Sequence, residues 1–106
     1  MPMYLWRGSY TAEGTKGLLK DGGTKRRDVV KQLVEKAGGK VIAFYFALGD
    51  SDFVGISEFP DSVTAAAMSL AVNASGAVSL HTTPLITPEE LDAATKKSIG
   101  YKPPGA

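Results

Sequence analysis

The 106-residue chain contains no cysteine, one histidine and one tryptophan. Without cysteine there is no disulfide, thiolate zinc site, iron–sulfur cluster or thiol nucleophile, and a reducing, cytoplasmic setting is the simplest expectation. With one histidine, any imidazole general base or serine-histidine-acid triad within one subunit has to use His81. No apolar run reaches the 18 residues that signal a membrane span. Met1-Pro2-Met3-Tyr4 lacks the basic segment and apolar stretch of a signal peptide. Nor is there an excess of either charge: 12 Lys and Arg against 11 Asp and Glu leave a net charge of +1. That balance supplies no field to gather nucleic acid or anionic lipid, so neither a nucleic acid nor a membrane is expected as a partner.

What is present is ordinary globular composition, 43% hydrophobic and 22% charged, which predicts one folded domain over residues 1–106. Met3 to Tyr10 reads as a strand, ended by Thr11, a residue suited to capping a helix. The helix that follows is interrupted by Gly14 and Gly17, and Asp21-Gly22-Gly23-Thr24 offers a second start, which predicts a kink or break. Val29, Val30, Leu33, Val34 and Ala37 then recur at helical spacing until Gly38-Gly39. From Lys40 to Leu48 the run is apolar on both faces, as for a strand covered on both sides. Gly49-Asp50-Ser51-Asp52 is turn chemistry, and Phe53 to Phe59 returns as the second arm of a hairpin. Ser62 to Ser75, capped by Asp61, carries no charge at all, which predicts a largely buried helix. Ala77 to Leu85 alternates with a period of two. Thr87-Pro88-Glu89-Glu90 is a capping-box start for a last helix to about Ser98, and Pro103-Pro104 marks an extended tail.

The order βαββαβ with an added C-terminal helix predicts an α+β, ferredoxin-like domain: one four-stranded antiparallel sheet with its helices on one face. The other sheet face then needs cover. A second copy of the chain supplies it most simply, so a homodimer or a larger assembly of dimers is expected.

Gly8-Ser9-Tyr10-Thr11-Ala12-Glu13-Gly14, Asp21-Gly22-Gly23-Thr24 through Arg27, Gly38-Gly39-Lys40 to Phe46, and Thr82-Thr83 through Thr87-Pro88-Glu89-Glu90 resemble the GYD domain family of small bacterial proteins. The resemblance covers nearly the whole chain. It departs at the hairpin turn: the family reads Gly-x-Tyr-Asp where this chain has Gly49-Asp50-Ser51-Asp52. The resemblance implies a bacterial source and a subunit of the dimeric α/β-barrel type. It implies no activity, and proteins of that fold include cofactor-free monooxygenases, isomerases and effector-binding modules.

Four groups of residues are candidates for chemistry. His81 shares a strand face with Ser79 and Thr83 and is the one candidate acid–base group. Tyr4, Trp6 and Tyr10 project from one face of the first strand, and Tyr45 is the single polar-tipped residue of the second; such aromatics line either a core or a ligand cup. Six cations, among them Arg26, lie against two acids between Lys16 and Lys31, a pattern that reads first as a solvated helix face and second as an anion site. Gly17 and Gly22 have the spacing of a phosphate loop, but Gly23-Thr24 stands where Lys-Ser/Thr is required. Asp50 and Asp52 fall short of a calcium loop, so no metal or cofactor is expected. Asn73-Ala74-Ser75, a glycosylation sequon in form, is set aside as part of a helix.

The functional expectation is a small organic or anionic ligand held between sheet and helices and touching Tyr10, Tyr45 and His81, with Trp6 and Arg26 as further binding residues. The alternative is a cofactor-independent enzyme, of the monooxygenase or isomerase type seen in that fold, with His81 as the catalytic group.

Overall fold

The computed structural model describes residues 1–106. β1 (Met3–Tyr10) leads into α1 (Ala12–Asp21), where the Thr11 side chain accepts the Gly14 N–H. Gly22, at φ 82°, breaks the helix as its glycines predict, and α2 (Gly23–Lys36) starts afresh. β2 (Lys40–Phe46) and β3 (Phe53–Glu58) form the hairpin. Asp61 caps α3 (Ser62–Ala74) by accepting the Thr64 N–H at 2.7 Å. β4 (Val78–Leu85) follows, and the full Thr87–Glu90 capping box opens α4 (Pro88–Thr95).

The four strands make one antiparallel sheet in the order β2-β3-β1-β4, the ferredoxin-like arrangement expected. Its register sorts the side chains. Tyr4, Trp6, Gly8 and Tyr10 of β1 share a face with Phe53, Gly55 and Ser57 of β3 and with Val78, Leu80 and Thr82 of β4. This face meets the helices. Tyr4 packs with Val34 of α2, Phe59 and Ala65 of α3, while Trp6, Phe53 and Val78 form a second cluster toward the other end. Gly55 is what admits Trp6: a side chain at that position would overlap the indole ring. Asn73 of α3 accepts the Leu80 N–H at 2.7 Å and donates to the Leu80 carbonyl at 3.2 Å, fastening the helix to the edge strand β4.

Two burial expectations require correction. β2 is an edge strand, not a strand covered on both sides, and Tyr45 is 69% exposed on it. The shift of register between Val41 and Ala43 leaves Ile42 exposed as well. Likewise α3 buries only Ala65 fully, with Val63 and Leu70 facing solvent; its lack of charge does not reflect burial within the chain. Residues 86–106 are exposed throughout, and α4 does not pack into the body of the domain. The radius of gyration is therefore 17.0 Å, against about 13 Å for a compact domain of this length. No helix is long and apolar enough to cross a membrane.

Candidate functional site

A narrow cleft separates the helix-facing side of the sheet from α2 and α3. Its inner part is an apolar cavity of about 60 Å³ floored by Trp6, Phe53 and Leu80 and roofed by Val30 and Met68. The floor is rigid. Trp6 donates its indole N–H to the Ser57 hydroxyl at 2.7 Å, Ser57 is wholly buried, and Phe44 and Phe53 flank the indole with ring centroids 5.4 and 6.0 Å away. Toward the α1 end lies an outer pocket of about 340 Å³, bounded by Tyr10 and by Gly14 and Gly17 of α1. Arg26, Val72 and Val78 line both spaces, which makes them neighbours across a shared wall.

Arg26 and Tyr10 define the polar end of this cleft. Tyr10 is half-buried, with its ring tilted against Phe53 at 5.3 Å. Burial raises its phenol above the usual titration range, the charge of the nearby Arg26 guanidinium works in the opposite direction, and Asp52 adds to the rise. At neutral pH Tyr10 is consequently a protonated hydrogen-bond donor. Arg26 is the only charged residue lining the inner cavity. It takes part in no ion pair: the salt bridges of the chain are Lys16–Glu13, Lys25–Asp21 and Arg27–Asp28. Glu13 and Asp21, the two acids of the outer pocket, are thus each matched by a lysine. The other cations of the basic stretch, Lys16, Lys20, Lys25, Arg27 and Lys31, are exposed and make the solvated face that the sequence suggests.

Asp52 is a residue that sequence reasoning assigns to turn chemistry alone. Its carboxylate accepts the Tyr10 backbone N–H at 2.8 Å, and its own N–H donates to the Gly8 carbonyl at 2.8 Å. It therefore extends the pairing of β1 beyond the end of β3 and holds Tyr10 at the mouth of the cleft. The signal for it is the hairpin quartet Gly49-Asp50-Ser51-Asp52, whose last position is this aspartate.

The expected site residues do not all meet. Trp6, Tyr10 and Arg26 converge on the cleft, but Tyr45 and His81 lie on the opposite, open face of the sheet. Tyr45 pairs with Val54, Val54 with Arg7, and Arg7 with His81, so these four residues form one row across β2, β3, β1 and β4. A ligand between sheet and helices cannot touch Tyr10, Tyr45 and His81 together, because adjacent positions of a strand point to opposite faces. His81 is exposed and its side chain makes no hydrogen bond; Ser79 and Thr83 share its face without bonding it. No cluster of three or more His, Cys, Asp or Glu side chains that could hold a metal ion occurs in the chain.

The cleft supplies two donors, a guanidinium and a phenol, beside an apolar floor. That combination suits an oxygen-bearing head on a flat or short apolar body. Neither a curated protein nor a solved structure matches the chain significantly. The family model described as the GYD domain matches residues 4–95, from the first strand to the end of α4, and the chain belongs to the GYD domain family.

Proposed function

We propose that this protein is a homodimer that binds small organic molecules in the cleft between the sheet and helices α2 and α3, with Tyr10 and Arg26 at its mouth. The observation that carries the reading is the place of Arg26 of α2, which lines two adjoining spaces, an apolar one with Trp6 and an outer one with Tyr10 of β1. Organic ligands occupy pockets of about 300–1,000 Å³, largely apolar with a few placed polar groups. The outer pocket of about 340 Å³ falls within that range, while the inner cavity of about 60 Å³ has room only for the end of a ligand.

Dimerisation is supported by the open face. Leu5, Val54 and Ile56 lie there at the centre of the sheet, with Tyr45 and Ile42 exposed beside them. A second copy laid on this face removes that apolar surface from water. The proposal includes a bacterial cytoplasmic setting, in keeping with a cysteine-free chain. The enzyme alternative would require His81 to act from the open face with Arg7 and Tyr45 as its neighbours, apart from the cleft, and the geometry gives it no partner for proton transfer.

Trp6, the single tryptophan, is a built-in reporter of the cleft. Titrating a fragment library against its fluorescence should yield saturable shifts in the wild-type protein and in His81→Ala. The shifts should be lost in Val72→Phe, which narrows the wall between the two spaces. Binders that are insensitive to Val72→Phe, or dependent on His81, would place the ligand elsewhere.

A further inference from the structure

We propose that the ligand of this cleft is a carboxylate: a small organic acid whose carboxylate is held by Arg26, with the Tyr10 hydroxyl donating to the same group and a short apolar end directed to Trp6. The inference rests on the small-molecule reading above and assigns the chemical class that the cleft selects.

Three observations lead to it. The first is the state of Arg26. A guanidinium that is partly withdrawn from water normally sits against a carboxylate, because its desolvation is costly when unpaired. Arg26 is half-buried and has no carboxylate within salt-bridge distance, whereas its exposed neighbour Arg27 has Asp28 at 3.2 Å. The nearby acids do not compensate it: Asp21 is paired with Lys25, and Glu13 with Lys16. Arg26 is therefore the cation with a vacant fork at a recessed position, and a planar fork matches a carboxylate through two parallel hydrogen bonds.

The second is the company it keeps. The Tyr10 phenol lines the outer pocket together with Arg26 and is protonated at neutral pH, so it offers a further donor to an anion bound there. The Asp52 carboxylate accepts the Tyr10 backbone N–H and lies close enough for its charge to help keep the phenol protonated.

The third is the shape. Arg26 lines both spaces, so a carboxylate held by it has the larger outer pocket around it and the apolar cavity ahead. At about 60 Å³, that cavity has the bulk of about two water molecules. It accepts a short alkyl group or a ring edge and excludes a second charge, since the rest of its lining is apolar apart from Thr82.

The test compares each acid with its uncharged amide of nearly the same shape: benzoate with benzamide, and butyrate with butyramide. Trp6 fluorescence supplies the readout, with far-UV circular dichroism to verify folding. The acids should bind the wild type at least tenfold more tightly than their amides. In Arg26→Gln that preference should vanish, in Arg26→Lys it should fall to an intermediate value, and in Arg27→Gln it should be unchanged. Amides that bind as tightly as acids would overturn the carboxylate assignment while leaving the cleft a binding site. An acid preference that survives Arg26→Gln would overturn the role of Arg26. If neither probe binds but uncharged fragments do, the carboxylate class is wrong and the broader reading stands; if nothing binds at all, both fall.

Discussion

Adding one methyl group at Gly55 should destabilise the protein by about 1–3 kcal/mol through the overlap it forces with Trp6, and by more if the indole bond beside it is lost. Gly55 pairs with Trp6 on one side and Phe44 on the other. A β-carbon there would fall within 3.0 Å of three atoms of the indole six-membered ring, closer than such atoms approach in real structures. The ring has little freedom to move, since its N–H is bonded to the buried Ser57 hydroxyl and two phenylalanines flank it. Overpacking of this kind costs about 1–3 kcal/mol if the neighbours yield. If the indole swings away instead, a buried donor and acceptor lose each other, at about 1–3 kcal/mol more. Urea unfolding of Gly55→Ala followed by Trp6 fluorescence measures the loss. The paired control is Gly17→Ala: this glycine is inside α1 with nothing within 4 Å of a new methyl group, so the change should stabilise by about 0.5–1 kcal/mol. A Gly55→Ala protein within about 0.5 kcal/mol of wild type would refute the packing argument.

Other outcomes follow from the same structure. The Asp61 carboxylate accepts the Thr64 N–H, which holds its pKa below the usual carboxylate range. Because the folded-state value is the lower one, the stability advantage of wild type over Asp61→Ala should be complete above about pH 5 and fade as pH falls through the carboxylate range; an advantage that grows in acid would contradict the assignment. Thr87→Ala removes a cap of about 1 kcal/mol from α4, yet α4 is not packed on the domain, so amide exchange over 88–95 should accelerate with the urea midpoint unchanged. Ile56→Glu puts a charge on the open sheet face and should yield a folded monomer by sedimentation, whereas a wild-type protein that is monomeric at tens of micromolar would dispose of the dimer.

Much of this protein is decided by local chemistry. Thr11, Asp61 and Thr87 begin helices because their side-chain oxygens satisfy backbone N–H groups a turn away, and Gly22 ends one because it alone tolerates its positive φ. Such signals act within a few residues, and they are legible without a structure. The alternation of Ala77 to Leu85 likewise shows that β4 has two faces. It does not show which face meets the helices. That choice depends on the register with β1, and it carries His81 and Tyr45 to the open side while Trp6 and Tyr10 turn inward. Arg26 is one of six cations in its stretch and is distinguished only by the elements packed around it. The uncharged α3 and the doubly apolar β2 show how the pattern misleads: apolarity states that a surface avoids water, and the partner that covers it is settled in three dimensions, within the chain or beyond it. Caps, breaks and periods were therefore written in the sequence, whereas the meeting of Trp6, Tyr10 and Arg26 arises only when β1, α2 and α3 close on one another, since it joins residues whose proximity no local spacing encodes.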